Sequence, residues 1–350
     1  MKDSELVRNA YRLILGREPE SEAVLDMEFL DVYALRKQFM QSEEFQSRLK
    51  NDTYLNHVYR IDSFEAYDKF IEACKQCEEI GLDMRQTVWP HVQFEKESFF
   101  KLFGSVPPKC DPFSKKYANW EFAFFEFLSG RKYSLDNEGV LDISQFLEQP
   151  PNILYPLDVQ IKYYQKYAGF LEVIRPKTGD RALEMGFGRG ALLEVLGRCG
   201  CRVAGLDASP SFYEYTKNRL SSQHIEAELI QGPFFDINQI SGVFDLVIFE
   251  ASFHHCMDPV RLLGMVNKKL AIGGRVIFMS EPIDPSSDRP WGFVRYDGET
   301  LMVARKFGWL EYGFRTDFFE QLLNRTGFEV RAVHPQTNDA PMYEAVKVSD

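Results

Sequence analysis

Residues 183–196, LEMGFGRGALLEVL, place Gly186, Gly188 and Gly190 at alternate positions after a short apolar run and before a helical pattern. Glycine lets a backbone turn sharply and approach a ligand closely, and a helix start presents unpaired N–H groups. Gly186, Gly188 and Ala191 satisfy the dinucleotide fingerprint G-x-G-x-x-G/A, a match that a plain tight turn also meets. Two acids narrow the choice. Glu184 lies two residues before Gly186, where a pyrophosphate site gains nothing from negative charge. Asp207 ends the next strand pattern, 23 residues after Glu184, where a carboxylate can bind ribose hydroxyls. An acid beside the glycines suits a ligand carrying an ammonium or a sulfonium. S-adenosyl-L-methionine has both, with a ribose for Asp207.

FHHCMDP, 253–259, supplies His254 and His255 after the fourth strand pattern. Histidine titrates near operating pH and suits proton removal from a hydroxyl acceptor. A structural histidine is the competing reading there. His255 is preferred to His254 as the base, and Glu281 of SEP, ending the fifth strand, stands behind them. A metal held by His254, His255 and Glu281 would lack a spacing motif, so no metal is expected. CKQC at 74–77 has zinc-like spacing but no second pair, and reads as ordinary helix cysteines. An insertion at 282–315 offers Arg289, Trp291, Arg295, Tyr296 and Trp309 as substrate contacts. Flat aromatics pack on sugar rings and arginines hold phosphate; a lid whose aromatics are core is the alternative.

These residues need a scaffold. From residue 155 to 350 the pattern alternates helix and strand: RALEMG, RVAGLDAS, AELIQG, FDLVIFEAS and GRVIFMSEP, with FEVRAVH and YEAVKV closing the chain. Such alternation predicts an α/β fold with a parallel sheet covered on both faces and ligands at the carboxyl ends of the strands. Residues 1–50 predict a small helical module, with Leu6, Ala10, Leu13 and Ile14 at helical spacing and a second series at Leu35, Phe39, Phe45 and Leu49. Residues 51–154 predict a mostly helical, aromatic-rich connector, ended by the prolines of EQPPNILYP at 148–156.

LEMGFGRGALL, VAGLDAS, FDLVIFEASFHHCMDP and LAIGGRVIFMSEP, in that order, resemble class I S-adenosylmethionine-dependent methyltransferases, whose fold is Rossmann-like. The resemblance implies that Glu184, Gly186, Gly188 and Gly190 surround the methionine part. It places Asp207 on the ribose with Ala208 beside it, and Glu250 with Ala251 at the methionine end. Many relatives end the third strand in Gly-Asp, where this chain has Pro233, so Phe234 is expected to pack on the adenine instead. YYQKY, 163–167, falls where a helix often covers the cofactor. YRLILGREPE and FMQSEEF resemble a small helical module attached to enzymes of bacterial surface-polysaccharide synthesis, and SEPI and GWLE look like methyltransferases encoded with glycosyltransferases. Together these imply O-methylation of a surface-polysaccharide sugar or its activated precursor, with a glycosyltransferase as partner. N- or O-methylation of another small metabolite, or a non-catalytic subunit, are the alternatives.

The chain has 350 residues, 45% hydrophobic and 27% charged, enough to bury a sizeable core. A net charge of -11 without a basic stripe argues against nucleic acid as the main partner. The charged N-terminus has no signal-peptide core, no run approaches a membrane span, and six cysteines suit a reducing compartment, so a cytoplasmic location is expected.

Overall fold

The computed structural model describes residues 4–14, 18–26, 34–35, 38–39, 42–44, 58–79, 84–138, 157–334 and 341–349. The chain groups into two compact units, Met1–Glu95 and Lys96–Asp350. In the first, α1 (Ser4–Ile14) buries Val7 and Tyr11 against Leu25, Leu35 and Phe39, with the Tyr11 and Phe39 rings edge to face at 4.8 Å. Phe45 and Leu49 lie outside the described residues. α2 (Phe64–Glu79) buries Tyr67, Phe70, Ile71 and Cys74, and α3 (Met84–Thr87) follows. The two cysteines of CKQC are free thiols on α2. β1 (Tyr59–Ile61) and β2 (Val92–Phe94) pair in parallel, the strands of this unit among the described residues.

The connector expected over residues 51–154 straddles the division between the two units. Its part up to Glu95 groups with the N-terminal unit, and Lys96 onward groups with the sheet. The physical reason is packing: α4 (Lys96–Phe103) and α5 (Lys115–Ser129) spend their phenylalanines on each other and on the insertion. Ser114 caps α5 by accepting from Tyr117 N, and Gly130 ends it with φ 72°. The proline-rich boundary at 148–156 lies outside the described residues.

The second unit holds α6 (Leu157–Ile174), β3 (Arg181–Met185), α7 (Ala191–Arg198), β4 (Arg202–Asp207), α8 (Pro210–Ser222), β5 (Ala227–Gln231), β6 (Phe244–Glu250), α9 (Pro259–Lys269) and β7 (Leu270–Met279). The insertion carries β8 (Trp291–Gly292), α10 (Gly298–Lys306) and β9 (Gly313–Phe314); α11 (Thr316–Arg325), β10 (Phe328–His334) and β11 (Met342–Lys347) close the chain. One sheet runs β10-β11-β7-β6-β3-β4-β5. Strands β3 to β7 are parallel; β3, β4, β6 and β7 are buried through most of their length because helices cover both faces, and β5, at the edge, is half-buried. β11 instead lies antiparallel between β7 and β10. Only residues 335–341 join β10 to β11, too few for a parallel crossover. Strand order reverses between β3 and β6, and ligands of such Rossmann-like sheets sit outside that point. Among the described residues, no helix is long and apolar enough to cross a membrane.

Candidate active site

The carboxyl ends of β3, β4 and β6 open on a pocket of about 340 Å³. Gly186 and Gly188 line it in left-handed conformations, φ 76° and 48°. A Cβ on Gly186 would stand 2.6 Å from Ser252 Cβ, whereas one on Gly188 would meet nothing within 4 Å, because that space is the pocket. The buried Asp207 accepts from Gly188 N through Oδ2 and from Ser209 N through Oδ1, each at 2.8 Å, and so ties the glycine loop to the end of β4. Glu184 is 2% exposed and faces the same pocket, and its Oε2 has no hydrogen-bond partner among the described residues. Burial, followed by the charges of Glu250 and Asp207, holds its carboxyl well above the usual range. Glu250 pairs with Lys166 at 2.7 Å and accepts from Tyr167 Oη at 3.4 Å. Tyr163 and Tyr167 of α6, Ala208, Phe234 and Ala251 complete this wall. Ala251 and Ser280, just past β6 and β7, have φ of 48° and 56°, strained values for residues with a Cβ. Four acidic side chains around one cavity, Glu138 with Glu184, Asp207 and Glu250, one of them with an unsatisfied buried oxygen, fit a ligand that brings a cation and hydrogen-bond donors.

The turn Phe253–His255 follows β6 and is built on Glu281. Glu281 Oε1 accepts from Ser252 N and Phe253 N, both at 2.8 Å; Oε2 faces His254 N at 3.2 Å and His254 Nδ1 at 2.7 Å. Against its complete burial, His254 and these amides hold the carboxyl below the usual range. Glu281 therefore shapes the turn and is not at the mouth as a base, which corrects the sequence expectation. His254 is buried behind the pocket wall, and His255 lines the pocket. His255 Nδ1 lies 3.2 Å from Glu138 Oε2. Burial opposes its charge, but Glu138, then Glu311 and Glu281, outweigh that and push the imidazole up to about 9. These carboxylates thus hold the imidazole above the ordinary histidine value that the sequence reading assumed.

Residues 183–278 match the Methyltransferase domain family. This stretch is therefore similar to a methyltransferase domain, and it lies on a Rossmann-like sheet. Among similar curated proteins, the sarcosine/dimethylglycine N-methyltransferase of Halorhodospira halochloris is 29% identical over 164 residues, covering 46% of this chain and 56% of that protein. The ubiquinone biosynthesis O-methyltransferase of Coxiella burnetii (strain Dugway 5J108-111) is 24% identical over 141 residues, covering 39% of this chain and 57% of its own. The chain thus spans a little over half the length of these curated relatives. The crystal structure of magnesium protoporphyrin IX methyltransferase from Synechocystis PCC 6803 with bound SAH aligns with TM-score 0.43 and 16% identity, over 60% of this chain and 95% of that one.

The insertion at 282–315 departs from the sequence expectation. Arg289 is 5% exposed, with Nη1 3.4 Å from Glu121 Oε1 and Nη2 donating to Phe293 O and, at 2.8 Å, to Tyr296 Oη. Its guanidinium lies over Phe100, Trp120 and Phe124. Trp291 is 1% exposed and donates to Pro112 O at 2.8 Å. Both belong to the core between α5 and the insertion, and Tyr296 packs with them. Arg295 pairs with Asp297 at 3.2 Å and with Glu311 at 3.3 Å. Of the five expected substrate contacts, Trp309 lines the pocket. Glu138 and Glu311, which the sequence did not single out, stand beside the histidines instead. Glu311 ends the phrase GWLE, the one signal that could have drawn notice.

Proposed function

We propose that this protein is an S-adenosyl-L-methionine-dependent O-methyltransferase acting on a sugar of a bacterial surface polysaccharide or on its activated precursor. The carrying observation is the pocket itself: Glu184 with an unsatisfied buried oxygen, Asp207 at the end of β4, and His255 on the same wall. S-adenosylmethionine supplies a methyl group on a sulfonium. Glu184 and the glycine loop receive the methionine part, Asp207 the ribose, and Phe234 a face of the adenine. The chain's task is then to align the acceptor with the methyl group and exclude water. The resemblance of the N-terminal helices to a module of polysaccharide-synthesis enzymes supports the sugar acceptor, and a glycosyltransferase is the partner proposed for that unit. The acidic wall, Glu138 with Glu250, favours a second reading, N-methylation of a small amine.

Calorimetry and thermal unfolding with S-adenosylhomocysteine, NAD and an acceptor panel test this. S-adenosylhomocysteine is expected to bind and, at 100 times its Kd, to stabilise the fold by about 2.7 kcal/mol. A response to NAD alone overturns the cofactor. Methyl transfer to amines but not to nucleotide sugars replaces the acceptor class by the second reading.

A further inference from the structure

His254, His255 and Glu311 converge at the wall of the pocket, with one ligand atom from each lying within 4.8 Å of the others. Glu311 Oε2 is 3.6 Å from His254 Nε2, and Oε1 is 4.0 Å from His255 Nε2. The two imidazoles share an arrangement. His254 Nδ1 is hydrogen-bonded to Glu281 at 2.7 Å, while Glu138 Oε2 lies 3.2 Å from His255 Nδ1 outside hydrogen-bond geometry, so a carboxylate stands behind each ring and both Nε2 atoms turn to one further carboxylate. The backing groups are themselves held: Glu281 by three backbone amides, and Glu138 Oε1 by Leu310 N at 2.8 Å. Arg295 engages Glu311 Oε2 at 3.3 Å, and Tyr312 N donates to His254 O at 3.1 Å, which seats the strap carrying Glu311 against the histidine turn.

We propose that His254 Nε2, His255 Nε2 and Glu311 bind one divalent transition-metal ion beside the cofactor pocket. Metal-bound histidines characteristically give their other nitrogen to a carboxylate or carbonyl, which fixes the tautomer and the ring. Two imidazoles and one carboxylate suit zinc, or iron, cobalt or nickel, rather than the all-oxygen preference of calcium and magnesium. Three protein ligands leave a coordination position open, and His255 borders the pocket. The ion's use rests on the reading above. The acceptor hydroxyl takes the open position and releases its proton to solvent; the oxygen–carbon bond forms as the carbon–sulfur bond breaks, and that electron pair stays on sulfur.

The test adds Co²⁺ and Zn²⁺ to chelator-treated full-length protein. Expected are one equivalent bound, visible cobalt bands of a nitrogen- and oxygen-ligated site that zinc bleaches, and at least tenfold weaker binding in Glu311→Gln and in His255→Ala. Glu138→Gln, which touches a backing group, is expected to weaken binding by 10–100-fold. Unfolding midpoints identify any variant that fails to fold, and the remaining ones decide. Absence of stoichiometric binding in the wild type, or equal affinity in Glu311→Gln, overturns the site and leaves Glu311 as a bridge between two imidazoles. S-adenosylhomocysteine calorimetry on the same samples separates the two ideas: metal lost with cofactor binding intact sinks this inference alone.

Discussion

The oxygens of Asp207 accept from amides of two loops, Gly188 N after β3 and Ser209 N after β4, so the carboxylate that faces the pocket also shapes its rim. Asp207→Ala is expected to weaken S-adenosylhomocysteine binding by about 1–3 kcal/mol, part of it through a loosened loop. The two glycines ahead of it separate space from fold. Gly188→Val puts its side chain where nothing lies within 4 Å, so it should lose the ligand without a clash, its stability cost coming from the strained φ of 48°. Gly186→Val drives a Cβ to 2.6 Å from Ser252 and should lower the melting temperature first. Calorimetry beside thermal unfolding checks both, and wild-type affinity in Gly188→Val means that the ligand sits elsewhere.

At the scale of elements, α5 and the insertion form one aromatic layer. Tyr117 of α5 donates its hydroxyl to Trp291 O at 3.0 Å, and the Trp291 ring stacks on Phe318 of α11 at 6.0 Å. Trp291 thus links three elements. Trp291→Ala should cost about 3–5 kcal/mol through the cavity it leaves, while S-adenosylhomocysteine affinity barely moves. A raised acceptor KM with unchanged stability would instead make Trp291 a sugar platform. Denaturant unfolding alongside steady-state kinetics distinguishes the two outcomes.

Across the whole molecule, a buried ion pair sets a pH dependence. Glu121 is fully buried, which pushes its carboxyl up to about 7 despite Arg289, against an ordinary value of 4.5. Between those values the folded protein keeps a proton that the unfolded chain has released. This contribution is therefore complete below about pH 4.5 and is lost as pH rises through 7, a change on the order of a few kcal/mol. Glu184, raised by burial as well, acts in the same direction. Urea midpoints should fall between pH 5 and pH 8, and Glu121→Gln should flatten that fall. An equal slope in variant and wild type would falsify the assignment. Above pH 7, where Glu121 is charged, Glu121→Ala should cost about 3–5 kcal/mol, because Arg289 is left buried without its partner.

What could be read along the chain was what local spacing determines. Gly186, Gly188, Glu184 and Asp207 sit within one strand–loop–helix–strand unit, so their order alone placed them around one pocket. The five parallel strands were visible for the same reason, as short apolar runs between helical periods. Other facts needed the folded molecule. An arginine and a tryptophan in a long insertion look alike whether they meet a sugar or a core, and only the packing of α5 buried Arg289 and Trp291. Glu281 appeared free at a strand end until the turn after β6 brought three amides to it. Glu138 and Glu311 come from segments far apart in sequence, and no periodicity relates them to His254 and His255. Their meeting is a product of where the sheet and the insertion bring the chain back, because side-chain charges act through space rather than along the backbone.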